Sequence, residues 1–164
     1  MPRKDYYPLV RGMALYYAYV DYSRSEPEVS RMVWRVEQTG RKDGALLARI
    51  STRWGAGAPS FHEARVDARG VFVAEKLELR LPPKAGDSWK VERDPYFLRV
   101  VNSVKAPASG INRDFKDCVE VGFTNEDTDS GSRFYAPAIG LVRETWLGET
   151  YNSVLALAHW EIPA

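Results

Sequence analysis

One cysteine and two histidines are all the thiol and imidazole chemistry that this 164-residue chain carries. A lone Cys118 excludes an internal disulfide and a cysteine-based zinc site. His62 and His159 stand in separate strand-like runs, neither with a second ligand at a metal-binding spacing, so both read as structural or surface residues. Charge of one sign is missing too. Lys and Arg total 23 against 22 for Asp and Glu, a formal +1 with both signs interspersed. That balance argues against a nucleic-acid partner and against an anionic membrane surface. Long apolar runs are absent, so no transmembrane helix, signal-peptide core or lipidated amino-terminal cysteine is expected. The opening Met1-Pro2-Arg3-Lys4-Asp5 fits a cytoplasmic start or a chain trimmed of its export signal. No stretch keeps apolar residues at helical spacing for three turns.

Nucleophile elbows, phosphate-binding loops and dinucleotide fingerprints are also lacking; Gly55-Ala56-Gly57 comes nearest and has no following helix. Asp127-Thr128-Asp129-Ser130-Gly131 begins like a calcium loop. Its sixth residue is Ser132 and its twelfth Ala138, where glycine and glutamate are required. A solvated hairpin loop is the reading left. Cys118 has Lys116 and Glu120 on its own side of a strand, the latter opposing thiolate formation, so it reads as a packed thiol. No catalytic residue, metal site or cofactor is expected.

What the chain does have is rings: five Trp, nine Tyr and six Phe, residues that suit a pleated, half-buried surface. Its length fits a single domain over residues 1–164. From Met13 to Tyr22 both alternating sets are apolar, the mark of a central strand. Ser30–Thr39 alternates Met32, Trp34 and Val36 against Arg31, Arg35 and Glu37, and pairs through Gly40–Gly44 with Ala45–Trp54. Phe61–Val66 and Val71–Leu81 form a second hairpin, with Leu77, Leu79 and Leu81 inward and Lys76, Glu78 and Arg80 in water. Trp89–Glu92, Tyr96–Lys105 and Phe115–Thr124 follow, the last two separated by a turn at Pro107–Asn112. The stretch Phe134–Glu144 is strand, tight corner at Pro137 and Gly140, and strand; Asn152–Ile162 closes the domain. The expectation is an all-β fold, a curved antiparallel meander of about ten or eleven strands shaped as a half-barrel or sandwich. Pro8, Gly12 and Leu15 recur at identical spacing as Pro82, Gly86 and Trp89, each before a strand.

Tyrosine gives large contact area at low entropic cost. Tyr17 and Tyr19 read as core; Tyr6, Tyr7 and Tyr22 are candidates for a binding surface.

Four motifs in order carry a resemblance. They are Tyr7-Pro8-Leu9-x-x-Gly12, Gly86-Asp87-Ser88-Trp89, Ala108-x-Gly110 followed by Phe115-Lys116-Asp117-Cys118-Val119-Glu120-Val121, and Tyr135-Ala136-Pro137-x-Ile139-Gly140-Leu141-Val142. The chain resembles a loose group of bacterial exported or lipoprotein-type β domains of unknown function. It departs from them after Gly12, where Leu15 and Tyr16 stand in place of a frequent Trp. The resemblance implies a curved sheet and an extracytoplasmic location, periplasmic, envelope-associated or secreted, and brings no catalytic residues. The resulting expectation is a non-enzymatic binding domain with a protein partner from the envelope or secreted fraction. The alternative is a carrier of a lipid or other apolar ligand on a concave face lined by Trp34, Leu47, Leu77 and Leu79.

Overall fold

The computed structural model describes residues 5–92, 97–125, 128–149 and 151–164. Among them there is no helix, and none is long and apolar enough to cross a membrane. Twelve strands account for the ordered backbone: β1 (Ala14–Asp21), β2 (Glu28–Lys42), β3 (Ala45–Trp54), β4 (Ser60–Val66), β5 (Gly70–Val73) and β6 (Lys76–Arg80), then β7 (Ser88–Val91), β8 (Phe97–Ser109), β9 (Asp114–Asn125), β10 (Ser130–Ala136), β11 (Gly140–Leu147) and β12 (Asn152–Glu161). They make one antiparallel sheet in the order β6-β5-β4-β3-β2-β1-β12-β11-β10-β9-β8-β7. Consecutive strands pair except β6 and β7, and β1 pairs with β12. The result is an up-and-down meander curled into a nearly closed barrel, whose two free edges, β6 and β7, are consecutive in the chain.

The all-β meander is as expected, with one strand more than the upper estimate. The extra strand comes from a correction. Val71–Leu81 is not a single arm, because Ala74 and Glu75 both take left-handed backbone conformations (φ 49° and 66°) and turn the chain between β5 and β6. Two left-handed residues make the tight hairpin turn that matches strand twist, usually built with Asn or Gly. The Asp43–Gly44 turn between β2 and β3 has the same character, at φ 52° and 78°, with the expected residue types. A second correction concerns β8, which runs through Pro107 to Ser109. The register passes from Ala106–Cys118 to Ala108–Phe115, so the proline sits in an irregularity that needs no ladder donor. Tyr96, the expected first residue of that strand, lies outside the described residues, as do Asp127 of the acidic loop and Met1–Lys4.

The recurring proline–glycine spacing has a physical basis. Gly12 (φ 86°) donates its N–H to the Val36 carbonyl at 2.9 Å, and Val36 donates back to the Met13 carbonyl at 3.0 Å. Gly86 (φ 93°) donates to the Val101 carbonyl at 2.8 Å, and Val101 donates back to the Asp87 carbonyl at 2.8 Å. The same corner therefore opens β1 and β7, the first strands of two successive six-strand halves. Positive φ at both corners is what requires glycine there.

Two apolar clusters pack inside the barrel. One gathers Leu15, Val36, Ile50, Phe115, Cys118, Val142 and Leu157; the other Val71, Leu79, Val101, Val119, Val121, Phe123 and Tyr135. The segment before β1 takes part in both, with Tyr6, Leu9 and Met13 buried. Asp5 accepts a bond from Ala138 N–H at 2.6 Å, which ties this segment to the corner between β10 and β11.

Candidate functional site

Inward-facing residues do not fill the bore completely. A cavity of about 390 Å³ remains, within the range of small-molecule sites. Strand alternation explains its apolar wall: Leu15, Tyr17 and Tyr19 on β1, Met32 and Trp34 on β2, and Leu155 on β12 all face it. Pro8, Ile139, Gly140 and Leu141 line it from the amino-terminal segment and the β10–β11 corner. Tyr7 meets Trp34 edge-on with ring centroids 6.0 Å apart, and Tyr19 meets Trp54 likewise at 5.2 Å.

The opposite wall is charged. Glu78, Arg99, Arg133 and Glu144 face the cavity, with Tyr135 between them. Glu78 was expected in water; it lies inside instead. The register between β5 and β6 pairs Val71 with Leu79 and Phe72 with Leu77, leaving Glu78 as the unpaired residue of a bulge whose carboxylate turns into the barrel. There it accepts bonds from Arg133 Nη1, from the Tyr135 hydroxyl and from Arg99 Nη1, the last at 3.1 Å. Burial alone would raise its pKa, but the Arg133 and Arg99 charges outweigh it and hold the carboxyl well below the usual range. Arg133 also donates from Nε to Glu144 at 2.5 Å. Burial, then the nearby Glu78 charge, pushes the Tyr135 hydroxyl well above its ordinary value. Tyr17 is raised mainly by burial and donates to the Leu141 carbonyl at 2.6 Å.

This wall also closes the barrel. Between β6 and β7 no backbone ladder runs. Side chains span the seam: Trp89 Nε1 donates to the Leu77 carbonyl at 2.9 Å, Lys76 Nζ to the Glu92 carbonyl at 2.5 Å and Arg99 Nη1 to the Glu78 carbonyl at 3.3 Å.

Among the residues named from sequence, Tyr7, Trp34 and Leu77 line the cavity together. Leu79 is fully buried in the second cluster and Tyr6 packs in the same cluster. Tyr22 is 51% exposed, just beyond the end of β1. Leu47 faces outward: it pairs with Gly40 and Arg65, while Leu46, Ala48 and Ile50 point into the barrel. The charged residues of the site escaped the sequence reading, since a charge in a strand is taken as solvent-facing unless its partners are known.

The imidazoles are apart. His62 on β4 pairs with the core residue Ile50, and burial lowers its pKa; His159 on β12 is exposed beside Tyr16 and Glu161. Cys118 is fully buried, its thiol pushed up to about 11 by burial and by Asp117. Among the described residues no group of three His, Cys, Asp or Glu could hold a metal ion.

No family model matches the sequence, and no curated protein does. Solved structures do match the fold. A "putative lipoprotein" from Parabacteroides distasonis superimposes with a TM-score of 0.64 at 13% identity, over 98% of this chain and 100% of that one. A "putative exported protein" with a YmcC-like fold from Bacteroides fragilis gives 0.65 at 14% identity, over 96% and 99%. At such identities the likeness is one of fold. The chain shares its fold with both.

Proposed function

We propose that this chain is a non-enzymatic, extracytoplasmic binding domain that holds a small, largely apolar molecule inside its barrel. The observation that carries the reading is the cavity walled by Leu15, Trp34, Ile139, Leu141 and Leu155. A bore lined by rings and aliphatic chains, with a few fixed polar groups on one side, has the composition of a ligand site. The location is proposed from the shared fold. A non-catalytic role is supported by the separation of the two imidazoles and by the burial of the only thiol. Native mass spectrometry of protein purified from its own host tests the reading: a co-purified small molecule, released on unfolding, is expected. Failure of the apo-protein to bind any member of a set of medium-chain amphiphiles would overturn it.

A protein partner is the second reading. Tyr22, Val29, Trp54 and Leu147 are exposed and lie at the ends of β1, β2, β3 and β11 that share one rim of the barrel. Exposed apolar residues grouped on a rim suit a partner surface. Cross-linking from a photoreactive residue placed at Tyr22 would capture such a partner in envelope extract.

A further inference from the structure

The charges on the cavity wall cancel among themselves. Arg99 and Arg133 stand there with Glu78 and Glu144, two cations against two carboxylates. Glu78 pairs with both arginines, and Arg133 is held on its other side by Glu144. Lys76, the further cation at the cavity, is exposed and already bonded across the seam to the Glu92 carbonyl. The buried wall therefore carries no net charge, and it offers a charged guest no unpaired counter-ion among the described residues. A charge taken from water into such a site loses its hydration without compensation.

The bore opens at one end. Among the described residues around the cavity only Trp54 and Lys76 are exposed. They hold the last position of β3 and the first of β6, which share one rim of the antiparallel barrel. At the opposite end the amino-terminal segment is packed down, with Tyr6, Pro8 and Leu9 buried and Asp5 tied to Ala138. Tyr7 belongs to that closed end. It lies against Trp34 and Tyr135, and its hydroxyl has no hydrogen-bond partner among the described residues. The hydroxyls of Tyr17 and Tyr135, by contrast, are taken by the Leu141 carbonyl and by Glu78. Burial above all pushes the Tyr7 hydroxyl far above its ordinary value, so it stays protonated. The inner end of the bore thus presents an uncharged group free to donate and to accept.

We infer that the ligand is an uncharged amphiphile, its hydroxyl or carbonyl head bonded to the Tyr7 hydroxyl at the closed end and its chain running past Trp34, Leu15 and Leu155 toward the Trp54 rim. This deepens the proposed cavity reading and rests on it. Acids and amines of the same length are disfavoured alike, because neither finds a counter-charge.

Isothermal titration of the apo-protein at pH 8 with decan-1-ol, decanoate and protonated decylamine tests the assignment. Decan-1-ol is expected to bind at least about tenfold more tightly than either ion, which must shed water without a partner. Tyr7→Phe should weaken decan-1-ol about three- to tenfold, the loss of one neutral hydrogen bond. Glu144→Gln leaves the wall with a surplus cation and should narrow the gap between decanoate and the alcohol while decylamine stays weak. The wild-type comparison needs no variant to fold. An ion that binds as tightly as the alcohol would overturn the neutral assignment and leave the cavity reading standing. An unchanged decan-1-ol affinity in Tyr7→Phe would overturn the placement of the head. Binding of none of the three would overturn the cavity reading as well.

Discussion

Glu78 and Arg133 lie 55 residues apart in the chain and form a buried ion pair across the barrel. One partner stands on the free edge strand β6, the other on β10 in the second half. The pair, extended by Arg99, Tyr135 and Glu144, pulls the edge of the first half against the interior of the second.

Replacing Glu78 should therefore be severe. Glu78→Gln removes the charge that Arg99 and Arg133 share and is expected to cost about 3–5 kcal/mol, read from urea unfolding at pH 7. The folded carboxyl titrates below its ordinary value of 4.5. Its contribution is thus complete above the unfolded pKa and is lost as pH falls from there through the lower folded value. Wild-type stability should decline on going from pH 5 to pH 3 by more than that of Glu78→Gln.

Two glycines should behave oppositely. A Cβ on Gly131 would stand 2.0 Å from the Thr145 carbonyl oxygen and 2.5 Å from the Phe123 ring, whereas one on Gly40 meets nothing within 4 Å. Gly131→Ala is expected to destabilise by about 2 kcal/mol or more, since backbone and a buried ring must both move. Gly40→Ala should be neutral or stabilise by up to about 1 kcal/mol through the unfolded chain. Thermal unfolding of the two variants checks the contrast.

The β5–β6 turn is a place to gain stability. Glu75 holds a left-handed conformation that costs an L-residue about 1–2 kcal/mol, against about 0.5–1 kcal/mol for the entropy of a glycine. Glu75→Gly should give a net gain of about 0.5–1 kcal/mol, measured as a higher denaturation midpoint.

Trp34 and Leu47, neighbours by sequence reading, should separate in a binding assay. Trp34→Ala removes much of one cavity wall and is expected to weaken decan-1-ol binding about tenfold, roughly one large apolar contact. Leu47→Ala, on the outer face, should leave the affinity unchanged.

Those two residues also show what could be read from the chain. Alternation in β2 sets Met32 and Trp34 on its apolar side, and Tyr17 and Tyr19 of β1 read as core; all four line the bore. The same rule applied through Ile50 and Ala48 would have turned Leu47 outward. The Asp43–Gly44 turn announced itself by composition; Ala74–Glu75 did not, because neither residue type favours φ above zero. That hidden turn and the adjoining bulge reversed the reading of Glu78. Alternation discloses the apolar wall and hides the charged one, whose partners come together only when the two halves meet.

The line where β6 meets β7 gives this barrel an asymmetry of stiffness. Everywhere else, widening the bore means breaking a main-chain ladder. Here it means releasing only the grips of Trp89, Lys76 and Arg99 on facing carbonyls, together with the charges behind Glu78. The cylinder has a zip on one side, and a guest of larger girth would be accommodated there first.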